Sequence, residues 1–146
     1  MTHISVYNIQ EELPIDSELV KRVAALFCEQ KGVKAHSLEI TFVDLQTSSE
    51  RHQDYFNDPT PTDCMTFPVD PPFEESEGSV LGEIVICPEV AEIAAEEHKT
   101  DYKKELIRYV IHGLLHLIGY DDQTDQEQQV MRNEEDLFLS QLTHEL

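Results

Sequence analysis

The sequence predicts an α+β fold, a small mixed and mostly parallel β-sheet with flanking helices, on three observations. Segments with strand periodicity alternate along the chain with segments of helical periodicity, which lays helices on a sheet rather than in a bundle. A length of 146 residues suits one domain, 1–146, with a core of its own. Apolar residues at 40% and charged residues at 27% are ordinary for a globular protein and exclude a disordered or fibrous chain.

Each element has its own signal. Ile4, Val6 and Ile9 mark a first strand over 4–9, and Pro14 closes the loop after it. Asp16 is placed to cap a helix in which Leu19, Val20, Val23, Leu26 and Phe27 recur at helical spacing, with Gly32 as its stop. Leu38, Ile40 and Phe42 alternate with Glu39 and Thr41, the pattern of a strand over 38–43 buried on one face. A short polar helix fits 47–56. The turn formers of 57–61 then lead into a short strand over 64–67, which Pro68, Pro71 and Pro72 interrupt.

Residues 69–79 read as an exposed loop, and 80–87 as the most apolar strand. Pro88 opens a helix across 89–97. Two more helices are expected at about 101–118, stopped by Gly119, and at about 124–142.

No stretch reaches the roughly 18 apolar residues of a membrane span. The opening MTHISVYNIQ lacks the basic and apolar regions of a signal peptide, so a cytoplasmic protein is expected. Cys28, Cys64 and Cys87 form neither a closed disulfide set nor a Cys-x-x-Cys site, and all three are expected to be buried. Thirty acidic against ten basic side chains give a formal charge of -20, which repels polyanions at long range. A nucleic-acid partner therefore requires a local cationic patch.

The chemistry concentrates in Ile111-His112-Gly113-Leu114-Leu115-His116-Leu117-Ile118-Gly119-Tyr120-Asp121-Asp122. Four residues advance a helix by about 400°, so His112 and His116 share a face and both imidazoles can reach one metal. A catalytic zinc site needs a third protein ligand and keeps its fourth position for water. Gly119 can take a left-handed conformation that ends the helix and brings Asp121 or Asp122 under the histidines. The spacing His-x-x-x-His-x-x-Gly-x-x-Asp places the third ligand as metzincin-type sites do, and that register selects Asp122.

The bland alternatives are a satisfied pair of core histidines, and an Asp121 or Asp122 that only caps the last helix. Zinc proteases carry a glutamate directly after the first histidine as general base; here that position is Gly113, which disfavours peptide hydrolysis. Two histidines and a carboxylate also make the facial triad of non-haem iron oxygenases, a reading ranked low because such triads are usually mounted on a β scaffold.

These residues resemble the YbeY family of bacterial metal-dependent endoribonucleases, whose signature reads His-Gly-x-x-His-Leu-x-Gly-Tyr-Asp-His. His112 to Asp122 meet every position of it but the last. Upstream, Pro61-Thr62-Asp63-Cys64-Met65-Thr66-Phe67-Pro68 is similar to the family's Pro-Thr-Asp-Val-Leu-Ser-Phe-Pro, and Leu81-Gly82-Glu83-Ile84 to its Leu-Gly-Asp-Ile strand. The resemblance implies a mixed sheet with flanking helices, one zinc ion per chain and single-stranded RNA as substrate. It also implies a role in small-subunit ribosomal RNA maturation and ribosome quality control, with the ribosome or its proteins as partners.

The departures carry information. Asp122 stands where the usual pattern has histidine, so a carboxylate adds negative charge at the ion. Phe56 follows Tyr55 where the family commonly has an arginine, which removes a cation from the phosphate's path. Arg108, one four-residue step before His112, can supply a phosphate-stabilising charge in its place, and Lys104, one step earlier, can extend the cationic track. Equally, both can pair with the surplus carboxylates. The general base is unassigned, with Asp63 and Asp121 as candidates, while Thr62 and Thr66 are read as organising the turn and strand. Two rival readings stay open: a non-catalytic ribosome-assembly factor with a structural metal, and a small-molecule metallohydrolase.

Overall fold

The computed structural model describes residues 1–56 and 64–142. The elements run β1 (His3–Asn8), α1 (Ser17–Lys31), β2 (Ser37–Phe42), α2 (Leu45–Phe56), β3 (Cys64–Pro68), β4 (Val80–Ile86), α3 (Pro88–His98), α4 (Tyr102–Leu117) and α5 (Asp125–Gln141). The turn expected at 57–61, together with Thr62 and Asp63, lies outside the described residues. The described strands form one sheet in the order β1-β2-β4-β3, with β1/β2 and β2/β4 parallel and β3 antiparallel to β4. This is the mixed, mostly parallel sheet of an α+β fold.

Local signals set the helix ends. The Asp16 carboxylate accepts from the backbone N–H of Leu19 at 3.1 Å, and Gly32 closes α1 in a left-handed conformation. Asp101 caps α4 in the same way by accepting from Lys104 at 3.2 Å. At the start of α5 the capping residue is Thr124, in a capping box with Glu127, so neither Asp121 nor Asp122 caps that helix. The nearer hydroxyl takes the cap and leaves Asp122 to another use.

The core lies between one face of the sheet and α1, α4 and α5. Leu38, Ile40, Leu81, Ile84 and Ile86 from the strands meet Phe27 of α1 and Ile107, Ile111, Leu114 and Leu115 of α4, all essentially inaccessible. Phe27 also packs edge-on against Phe138 of α5, ring centres 5.4 Å apart. On the opposite face Val43, Met65 and Val85 form a second, smaller cluster, with Phe67 packed against it.

Two expectations are corrected. β2 is not buried on one face only: Thr41 is buried too, and its hydroxyl donates to Glu83 at 3.1 Å. The cause is α2, which lies over that face through Arg51, 3.7 Å from Glu83, and through Tyr55 against Phe67. Cys28 and Cys87 are buried as expected, but Cys64 is only half-buried, because β3 is an edge strand. Among the described residues, no helix is long and apolar enough to cross a membrane.

Candidate metal centre

The apolar stripe of α4 fixes the rotation of the helix, and with it the direction of the histidines. Leu106, Ile107, Val110, Ile111, Leu114 and Leu115 are buried, which leaves His112 and His116 half-exposed on one flank. Gly113 faces the sheet. A Cβ there would fall 2.7 Å from Ile84 Cγ2 and 3.1 Å from Cys64 Sγ, so the close approach of α4 to β4 and β3 requires glycine. A protease-type glutamate therefore has no space at this position, and its absence has a packing cause.

Past Leu117 the chain reverses. Gly119 adopts φ 112°, its N–H donates to the His116 carbonyl at 3.1 Å, and the Tyr120 N–H donates to Leu115 at 3.0 Å. Asp122 is thereby returned beneath the imidazoles. Its Oδ2 stands 3.4 Å from His112 Nε2 and 3.3 Å from His116 Nε2, and the two Nε2 atoms are 3.1 Å apart.

This near-equilateral triangle has the right size for a metal. Ligands about 2.0–2.1 Å from a tetrahedral zinc stand roughly 3.3 Å from one another, the edge of that tetrahedron. The outer nitrogens agree. His112 Nδ1 lies 2.7 Å from Glu135 Oε2, and His116 Nδ1 lies 3.1 Å from the Tyr120 carbonyl. Both partners are acceptors, so each Nδ1–H donates to its partner and each Nε2 is turned toward the Asp122 carboxylate. Three acceptors converging on one point fit a cation, and the group His112, His116 and Asp122 could hold a metal ion. Among the described residues no fourth side chain joins it.

The other residues singled out in the sequence fall on either side. Arg108 is buried, its Nη1 3.0 Å from Glu135 and its Nη2 2.8 Å from Asp136. Burial works against its charge, yet the hydrogen bonds and charges of Asp136 and Glu135 outweigh this and hold its pKa above the ordinary guanidinium value. Pairing with carboxylates is thus the arrangement found for Arg108. Lys104 is exposed one turn earlier. Asp121 is exposed and accepts from the Asp122 N–H at 2.8 Å, within its own turn. Asp63 lies outside the described residues.

A cleft of about 430 Å³ opens beside the triangle, lined by His112 and Asp122 and by Arg108, Arg132, Glu135 and His98 among others. Glu135 was missed in the sequence. Its signal was there: it occupies the apolar stripe of α5 with Met131, Phe138 and Leu139, where a carboxylate is out of place.

A family model described as Endoribonuclease YbeY matches residues 5–143. The chain belongs to the YbeY family. A protein of Chlamydia trachomatis serovar D named Endoribonuclease YbeY is 38% identical over 138 residues, covering 94% of this chain and 86% of the relative. One of the same name from Protochlamydia amoebophila is 36% identical, covering 97% of this chain and 91% of its own length. The solution structure of TM1509 from Thermotoga maritima superposes with a TM-score of 0.66 at 25% identity, over 99% of this chain and 91% of that one. The YbeY signature seen in the sequence is thus the segment that builds the triangle, from His112 to Asp122.

Proposed function

We propose that this chain is a zinc-dependent endoribonuclease of the cytoplasm that cleaves single-stranded RNA, acting in small-subunit ribosomal RNA maturation and ribosome quality control. The observation that carries the reading is the triangle of His112 Nε2, His116 Nε2 and Asp122 Oδ2, sized for one small cation. Membership of a family whose relatives are named endoribonucleases supports RNA as the substrate. When bound there, zinc lowers the pKa of a coordinated water toward about 7 and polarises a phosphoryl oxygen. In the hydrolysis, water adds to phosphorus, a P–O ester bond breaks, and the departing oxygen takes up a proton.

The chain's own residues bind and orient. His112 and His116 present lone pairs from a helix whose opposite side is locked in the core, and Asp122 arrives on a turn closed by backbone hydrogen bonds. Arg108 lines the cleft and, in this reading, takes a share of the phosphate's charge by exchanging the exposed Asp136 oxygen for a substrate oxygen while keeping Glu135. Lys104 extends the cationic track. Cleavage by Arg108→Ala, measured per mole of zinc-loaded protein, tests that role: an unchanged rate removes it.

The rival with a specific observation behind it is a ribosome-assembly factor with a structural metal, since a charge of -20 suits a basic protein partner better than RNA. A structural zinc has four protein ligands and a catalytic one three with an open position, so the coordination of the bound ion separates the two readings. The charged side chains lining the cleft, Glu105, Arg108, Arg132 and Glu135, weigh against a small-molecule hydrolase, which calls for a mostly apolar pocket with few polar groups. Metal analysis of the purified protein, with a nuclease assay comparing wild type and His116→Ala, decides. One zinc per chain and cleavage lost in the variant is the expected result; equal cleavage by the two overturns the proposal.

A further inference from the structure

The carboxylate of Glu135 is buried, its side chain 5% exposed on the apolar stripe of α5. A charge out of water costs several kcal/mol unless its oxygens are matched by donors. Here each oxygen has one. Oε1 takes Arg108 Nη1 at 3.0 Å, and Oε2 takes His112 Nδ1 at 2.7 Å, the short end of the range for a hydrogen bond to an ionised acceptor.

We propose that Glu135 is a positioning residue of the metal centre. Braced by Arg108, it sets the ring of His112 with Nδ1–H toward α5 and the Nε2 lone pair toward Asp122 and His116. This rests on the reading that those three residues hold a metal, and it assigns a task to side chains outside the ligand set.

Three features support it. An ionised carboxylate only accepts, so the proton must sit on His112 Nδ1, which fixes the tautomer that leaves Nε2 free to ligate. The distance from His112 Nδ1 is shorter than that from His116 Nδ1 to its carbonyl, 2.7 against 3.1 Å. Finally, Arg108 is itself held by both Glu135 and the neighbouring Asp136, so the group that braces the carboxylate is fixed in turn.

The competing account makes Glu135 and Arg108 a clasp between α4 and α5 with no bearing on the metal. Zinc dissociation constants, measured by competition with a chromophoric chelator, separate the two. The proteins are wild type, Glu135→Gln, Glu135→Ala and the double variant Arg108→Met/Glu135→Leu, each checked for folding by circular dichroism. Glu135→Ala is expected to bind zinc roughly 10–100-fold more weakly, the usual loss for an outer partner of a ligating histidine. Glu135→Gln falls between, because its amide oxygen still accepts from Nδ1–H.

The double variant removes both buried charges and restores apolar packing, so it folds where Glu135→Ala fails to. It is expected to bind zinc as weakly as Glu135→Ala. Wild-type affinity in either folded variant overturns the positioning role while leaving the three ligands in place. A wild-type protein that takes up no zinc overturns the ligand reading, and this proposal falls with it.

Discussion

His112 and His116 are both histidines on the same helix, yet the two regions that hold them are built differently. On the α5 side, His112 meets a buried carboxylate that is itself fixed by an arginine. On the turn side, His116 meets the Tyr120 carbonyl, placed by the same reversal that delivers Asp122. Charges far apart in sequence make the first brace, and neighbouring backbone makes the second. The first is sensitive to the loss of any one charge, and the second to anything that changes the path of the chain between Leu117 and Asp122.

Breaking the charged brace should have the largest effect on folding. Arg108→Ala leaves Glu135 buried with only His112 opposite it, and removing one partner of a buried pair costs about 3–5 kcal/mol. The lower end is expected, since His112 continues to donate and Asp136 is 55% exposed. Urea unfolding of the metal-free protein measures it. A loss under about 1 kcal/mol, the scale of a surface ion pair, would mean that the α5 side is no more demanding than solvent-exposed charge.

The same division explains what was legible beforehand. His112, His116, Gly119 and Asp122 lie within one helical turn and one bend of each other, so spacing alone brings them together. Glu135 reaches His112 only because α5 packs against α4 in one register, and no local pattern encodes that register. The same holds for the sheet. Its strands were readable from alternation, from flanking turn formers and from one apolar run, but the burial of Thr41 depends on where α2 lies, and the half-exposure of Cys64 on β3 being at the edge. Elements and local turns are written in short windows; the contacts between elements are not.

The turn side breaks at Gly119. A Cβ at this position would meet nothing within 4 Å, so Gly119→Ala tests backbone conformation alone: φ 112° is strained for any L side chain. The cost is of order 1–3 kcal/mol, paid either as strain or as a shift of the turn. Zinc affinity tells these apart. If the turn holds its path, thermal stability falls and zinc binding is kept; if the path relaxes, Asp122 moves out and binding weakens as well. No change in either quantity would mean that the bend does not need its glycine.

The smallest effect sharpens the comparison most. Thr124 starts α5 two residues beyond Asp122, its hydroxyl accepting from Glu127 N–H at 3.1 Å while the Glu127 carboxylate accepts from the Thr124 N–H at 3.1 Å. Thr124→Ala removes one half of that box, a loss of about 1 kcal/mol. The helix it loosens carries Glu135 farther along, and the turn it borders carries Asp122, so both braces are reached from one residue. The first turn of a helix frays without disturbing the next ones, so Glu135, three turns in, should keep its contacts. The weakening of zinc binding should then arise on the Asp122 side and be smaller than in Glu135→Ala. A loss matching Glu135→Ala would show instead that α5 moves as one body, and that the two braces are not separable.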